Sequence, residues 1–143
     1  MKRRVFIIIV CAAILSLMLA GCASARDKKV DLPEAASIES IQLKFCDDSC
    51  TVTDIVDIKD DNKNVITELI ESSCGNWSES VNDNPQEVPY VVVNIRTENP
   101  EEDRTVFIYE KSKHYYVEQP YAGVWKSTEE LYDTVYNYAE PEE

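Results

Sequence analysis

The sequence predicts an α+β domain with two layers, in which two helices cover one face of a mostly antiparallel five-stranded sheet. Three observations predict this class: short segments that alternate apolar and polar residues, turn residues between neighbouring segments, and two stretches with helical apolar spacing. The predicted order is β-β-α-β-β-β-α. Because hairpins connect most strands, neighbours run antiparallel, and two amphipathic helices can bury their apolar sides against the sheet.

The first hairpin begins with Ile41, Leu43 and Phe45, which alternate with polar residues as in a half-buried strand. Aspartate and serine residues at 47–49 form a turn sequence, and a return strand follows. An acidic stretch at residues 60–62 can cap the next element, a helix. The apolar residues of this helix form one stripe: Val65, Ile66, Leu69 and Ile70.

The first helix is predicted to end near Gly75, and the polar segment 76–89 is predicted to be a long loop. Three strands rich in β-branched and aromatic residues follow, at residues 90–95, 105–109 and 115–117. The last helix is predicted from a capping box, in which Ser127 accepts from the amide of Glu130 and Glu130 reaches back.

The composition excludes several classes of partner. The 143 residues carry 14 basic and 27 acidic side chains, for a formal net charge of −13. Binding to nucleic acid requires a basic surface that displaces counterions, so no nucleic-acid partner is predicted. The sequence contains a single histidine, which excludes most histidine-based metal sites and catalytic dyads. We predict no metal, no cofactor and no catalytic residues.

The N-terminus has the pattern of an export signal. Three basic residues precede a predominantly apolar run from Val5 to Leu19, and residues 19–22 are Leu-Ala-Gly-Cys. This ending resembles the lipobox of bacterial lipoproteins, in which the cysteine thiol receives a diacylglycerol and the chain is cut just before it. The resemblance implies that acylated Cys22 attaches the protein to the lipid bilayer, on the extracytoplasmic face of the cell membrane. The alternative is an uncleaved transmembrane anchor, for which the run is short.

These features divide the chain into three parts: a lipoprotein signal peptide (1–21), the lipidated Cys22 with a flexible tether (22–32), and one globular α+β domain (33–143). Loss of residues 1–21 removes three basic and no acidic residues, which changes the formal net charge from −13 to −16. Such a charge keeps the domain soluble and repels anionic lipid headgroups.

The cysteines of the globular part suggest a disulfide, which the outer face of a membrane permits. Cys46 and Cys50 flank a three-residue turn and can lie opposite each other across the hairpin, so they are the candidate pair. Cys74 remains as a buried thiol at the end of the first helix.

The aromatic residues near the C-terminus are the candidate surface for a ligand or partner. Tyr116, Tyr121 and Trp125 surround a Pro-Tyr-Ala-Gly turn and could stack on a sugar or anchor a protein. The alternative is structural packing, which the composition of protein cores favours. Strand alternation places Tyr115 and Val117 on one sheet face and Tyr116 on the other, and we expect Trp125 to be buried.

The same region resembles a known family. Residues 114–125 are HYYVEQPYAGVW, and residues 130–132 are ELY. This pattern, with the stretches at 80–85 and 32–35, resembles an uncharacterised domain family of lipoproteins from Gram-positive Firmicutes. The resemblance extends from about residue 32 to about residue 138. It implies a single domain at the membrane, with no established activity.

The sequence therefore predicts a membrane-anchored extracytoplasmic lipoprotein with a non-catalytic binding or sensing domain. A protein of the envelope or membrane is a candidate partner. Two alternatives remain: a cell-envelope hydrolase that uses acidic residues, and an inhibitory or structural partner of a membrane protein. A cavity with two close carboxylates would favour the hydrolase, and an exposed apolar patch would favour the partner role.

Overall fold

The structure, a computed structural model, describes residues 28–138 and contains seven strands and two helices in that range. The predicted signal peptide and Cys22 lie outside the described residues. The strands are β1 (Ile38–Cys46), β2 (Val52–Ile58), β3 (Gly75–Ser78), β4 (Tyr90–Thr97), β5 (Arg104–Lys111), β6 (His114–Gln119) and β7 (Gly123–Lys126). The helices are α1 (Asn62–Ser73), between β2 and β3, and α2 (Glu129–Tyr136), after β7.

All strands form one antiparallel sheet in the order β2-β1-β4-β5-β6-β7-β3. The predicted α+β class is confirmed, but the predicted number of five strands is wrong. The two additional strands are β3, which lies almost entirely in the segment predicted as a loop, and β7, which begins at the last residue of the predicted Pro-Tyr-Ala-Gly turn and extends beyond it. Both have four residues, too few to show an alternating pattern, and they pair with each other far apart in sequence.

The main core lies between the helices and one face of the sheet, which we call the helix face. Ile41, Leu43 and Phe45 of β1 belong to this core, as their alternation predicts. The helices contribute buried residues from one side each: Ile66 and Ile70 of α1, and Leu131 and Val135 of α2. The N-cap of α2 is Thr128, whose hydroxyl accepts from the amide of Leu131, so the helix begins one residue later than the capping-box prediction.

The opposite face carries a smaller apolar cluster, formed by Cys46, Tyr90, Phe107 and Tyr109, with Val92 and Tyr116 packed against it. The segment 79–89 is attached to this face. Ser80 donates a hydrogen bond of 2.6 Å to Glu118, and Lys111 forms a 2.6 Å ion pair with Glu87. Glu118 is 4% exposed and also accepts from the Tyr109 hydroxyl at 3.1 Å. Burial and the neighbouring Glu118 raise the pKa of Tyr109.

Residues 28–32, the end of the predicted tether, are attached to the domain. Val30 is 9% exposed and belongs to the main core. The side chain of Gln119 exchanges two hydrogen bonds with the backbone of Asp31, and the Asp31 carboxylate lies 2.7 Å from Arg104. The described part of the chain contains no helix that is both long and apolar enough to span a membrane.

Candidate functional site

The predicted disulfide between Cys46 and Cys50 is absent, and the three cysteines of the described range are free thiols. The register explains this: Cys46 is paired with Val52 rather than with Cys50, and Cys50 lies in the turn with a φ of 58°. The Cys46 side chain is buried in the cluster on the face opposite the helices, whereas Cys50 is exposed. The turn is closed by Asp47, whose carboxylate accepts from the amides of Ser49 and Thr51.

The predicted aromatic surface is not one surface. Tyr116 lies opposite the helix face, where its ring stacks on Tyr109 with centroids 5.6 Å apart. Trp125 lies in the helix-face core and is 2% exposed, so the expectation that it is buried is confirmed. Tyr115 contacts Tyr132 of α2, which confirms that Tyr115 and Tyr116 point to opposite faces.

Tyr121 occupies the turn between β6 and β7 and is 66% exposed. Its φ of 58° is in the left-handed region, where a residue with a bulky side chain is uncommon. The amide of Ala122 donates to the carbonyl of Gln119 and closes the turn. The Tyr121 hydroxyl donates to the Asp83 carboxylate, and this hydrogen bond raises the pKa of Tyr121.

A cavity of about 750 Å³ lies where β3 and β7 meet at the edge of the sheet. Its walls come from the end of the tether, the end of α1, β3 and β7. The lining residues are Lys28, Lys29, Cys74, Gly75, Asn76, Trp77 and Trp125. We call this space the tryptophan cavity, because both tryptophans of the chain line it. Its volume is in the range of small-molecule sites.

The indole of Trp77 is held against β7. Gly123 makes this possible, since a Cβ atom at that position would overlap the indole ring. The indole N–H of Trp77 donates to the carbonyl of Ala122 at 3.1 Å. The ammonium of Lys28 lies 4.4 Å from the centroid of the Trp77 ring, a cation–π contact. Trp77 is thus fixed in position as a wall of the cavity.

Lys28 is itself fixed by the second tryptophan. The indole N–H of Trp125 donates to the carbonyl of Lys28 at 2.6 Å, which ties the tether to the core. Both indole N–H groups are used in these hydrogen bonds; at the cavity Trp77 is partly exposed, whereas Trp125 is only 2% exposed. The polar groups that remain there are the two ammonium groups of Lys28 and Lys29 and the side-chain amide of Asn76.

The electrostatic character of the cavity differs from that of the whole chain. Its described lining has two lysines and no carboxylate, although acidic residues outnumber basic ones 27 to 14 in the sequence. Glu68 and Glu71 border a shallower depression of about 440 Å³ that shares Lys29. Burial raises the pKa of the Cys74 thiol to about 12, so Cys74 is neutral at physiological pH.

The sequence did not indicate this site. Lys28, Trp77 and Trp125 are 48 or more residues apart, and only the fold brings them together. The occurrence of two tryptophans in the chain was the one available signal. Within residues 28–138, no group of three or more His, Cys, Asp and Glu side chains is arranged to hold a metal ion.

These observations define a class: an α+β domain with a seven-stranded antiparallel sheet, two helices on one face and a cavity at one sheet edge. The family model DUF5301, described as "Domain of unknown function (DUF5300)", matches residues 26–126, and the chain belongs to this family. The match includes every residue that lines the tryptophan cavity. No curated protein and no solved structure matches the chain.

Proposed function

We propose that this protein is a membrane-anchored extracytoplasmic lipoprotein whose domain binds a ligand in the tryptophan cavity without catalysing its conversion. The observation that carries the proposal is the cavity itself. It has aromatic walls and a few polar groups that converge on one space, which is the usual composition of a binding site.

The sequence supports the anchor. Cys22 ends a lipobox-like pattern and precedes Lys28 by six residues. Six residues span at most about 22 Å, even when fully extended. Acylation of Cys22 would therefore hold the mouth of the cavity near the bilayer surface, where soluble components of the envelope and lipid headgroups are both within reach.

The chemistry of the cavity supports binding rather than hydrolysis. A glycosidase needs two carboxyl groups on either side of the bond that it cleaves. The seven described lining residues include none. The one nucleophilic side chain among them, Cys74, has its pKa raised to about 12 and is in the unreactive thiol form at neutral pH.

Metabolic labelling with a fatty-acid analogue tests the anchor. We expect label on the wild-type chain and none on Cys22→Ala, because the other cysteines do not follow a lipobox-like pattern. Cys50→Ala is the matched control: it removes an exposed thiol and should keep the label. Undiminished labelling of Cys22→Ala would overturn the lipoprotein assignment.

Intrinsic fluorescence tests the binding role. Both tryptophans of the chain line the cavity, so a ligand bound there should change their emission. We expect the emission to change when the chain is titrated with the correct member of a panel of soluble envelope glycans and polyol phosphates. Trp77→Phe should raise the Kd measured by isothermal titration calorimetry, which does not depend on the lost fluorophore, whereas Tyr121→Phe, outside the cavity, should leave the Kd unchanged. Emission that no compound in the panel changes would overturn the binding role.

A further inference from the structure

We infer that the tryptophan cavity binds a polyol phosphate, with glycerol phosphate diesters as the simplest case. This inference rests on the proposed binding function and adds the chemical class of the ligand. The shared recognition unit is one phosphate group attached to a small polyhydroxylated carbon chain. That unit occurs both in soluble envelope molecules and in phospholipid headgroups, so the two sources are separated below by experiment.

The charge of the lining points to an anion. In a strongly acidic protein, the described lining of the cavity includes two lysines, Lys28 and Lys29, and no carboxylate. Neither ammonium has an ion-pair partner among the described residues. Lysine acts as a compact point charge that binds phosphate. The two lysines can therefore neutralise a phosphate group that the rest of the surface repels.

The remaining groups fit the polyol. The amide of Asn76 can both donate to and accept from hydroxyl groups. The ring of Trp77, which is partly exposed and has its N–H bonded to the carbonyl of Ala122, offers apolar surface for C–H groups, whereas Trp125 is 2% exposed and belongs to the core. A site with both charged and aromatic walls is suited to a ligand that has a phosphate at one end and carbon at the other.

The position of Lys28 is set before a ligand arrives. Its carbonyl accepts from Trp125, and its ammonium lies over the ring of Trp77. A charge that is already held in place loses less conformational entropy on binding. Glu68 and Glu71 line a neighbouring depression together with Lys29, so Lys28 should contribute more to phosphate binding than Lys29.

The test uses the chain without its signal peptide and with Cys22→Ala, which prevents acyl chains from driving membrane binding. Tryptophan emission is followed during titration with glycerophosphoglycerol and, separately, with vesicles of phosphatidylglycerol or phosphatidylcholine. We expect a saturable change with glycerophosphoglycerol, with phosphatidylglycerol vesicles, or with both, and none with glycerol or phosphatidylcholine. A response to the vesicles alone identifies the lipid headgroup as the source, and a response to the soluble diester identifies a free ligand.

Matched variants connect the response to the cavity. Lys28→Gln should weaken binding about tenfold, since it removes a charge-assisted contact, and Lys29→Gln should have a smaller effect. Lys59→Gln is the control, because Lys59 is exposed and lies outside the cavity. Raising NaCl from about 20 mM to about 500 mM should also weaken binding through screening. Equal affinity in Lys28→Gln and Lys59→Gln would overturn the inference.

The outcomes also separate this inference from the proposed function. A change in emission with a neutral glycan, but not with either phosphate probe, would overturn the ligand class and leave the binding role intact. A failure of every probe in both experiments would overturn both.

Discussion

Gly123 offers a direct test of how the cavity wall is built. In Gly123→Ala, the new Cβ would overlap the indole of Trp77 and lie 3.0 Å from the carbonyl oxygen of Ser78. The oxygen belongs to the backbone of the paired strand β3, so the ring has to move. Its displacement breaks the hydrogen bond to Ala122 and the contact with Lys28.

The size of the effect follows from these contacts. The lost hydrogen bond and cation–π contact each contribute about 1 kcal/mol, and forced repacking of a tight site costs about 1–3 kcal/mol. Replacing glycine by alanine gains back less than about 1 kcal/mol through the unfolded chain. We expect Gly123→Ala to lower the free energy of unfolding by about 2–4 kcal/mol, and to shift tryptophan emission to the red as Trp77 becomes exposed.

Urea denaturation followed by circular dichroism measures this loss without depending on the tryptophan signal. Gly75→Ala is the matched control: it lies on the paired strand, nothing is within 4 Å of its added Cβ, and its stability should stay near that of the wild type. In a Trp77→Ala background, most of the penalty of Gly123→Ala should disappear, because the indole atoms that the Cβ overlaps are gone and only the Ser78 carbonyl oxygen at 3.0 Å remains. A wild-type stability and emission for Gly123→Ala would refute the reasoning.

Three further predictions concern other parts of the domain. Trp125→Ala should lower the free energy of unfolding by about 3–5 kcal/mol, since it removes a buried indole. In the same urea titration, Tyr121→Gly should leave the free energy of unfolding unchanged or raise it, because glycine adopts the left-handed φ of this position without strain. Glu118→Ala should lower the free energy of unfolding by about 2–4 kcal/mol, since it leaves the buried hydroxyls of Ser80 and Tyr109 without their acceptor. Glu118→Gln keeps an acceptor and should cost less. Equal losses for the two variants would contradict this prediction. When the native protein is treated with iodoacetamide at neutral pH, the exposed Cys50 should be alkylated before Cys74. Burial raises the pKa of Cys74 to about 12, so Cys74 should react slowly until denaturant is added. Mass spectrometry reports the order.

The elements that sequence alone predicts are those with a local signal. The alternation at Ile41, Leu43 and Phe45 predicts both the strand and the face of the strand that is buried, because side chains two residues apart in a strand lie on the same face. The helical stripe that includes Ile66 and Ile70 was equally visible, since both residues are fully buried on one side of α1. Such signals require runs of about five residues or more.

The errors concern features that depend on contacts between distant segments. The strand β3 exists because residues 75–78 pair with β7. A four-residue segment is too short to show the alternation of apolar and polar residues that would predict a strand. The disulfide prediction assumed that Cys46 and Cys50 lie opposite each other, but an irregularity in the β1–β2 register, between Phe45 and Cys46, pairs Cys46 with Val52. The cavity could not be predicted for the same reason as β3, since its described lining comes from three segments that are distant in sequence: 28–29, 74–77 and residue 125.

The attachment of residues 28–31 to the hairpin of β6 and β7 has a mechanical consequence. If the protein is held to a membrane through Cys22, any pull on the described part of the domain enters through its first residue, Lys28. The force is then transmitted to the hairpin of β6 and β7 through the hydrogen bonds between Lys28 and Trp125 and between Asp31 and Gln119. Tension on the anchor would therefore act on the hydrogen bond that positions Lys28, so the site would be mechanically coupled to the membrane to which it is tethered.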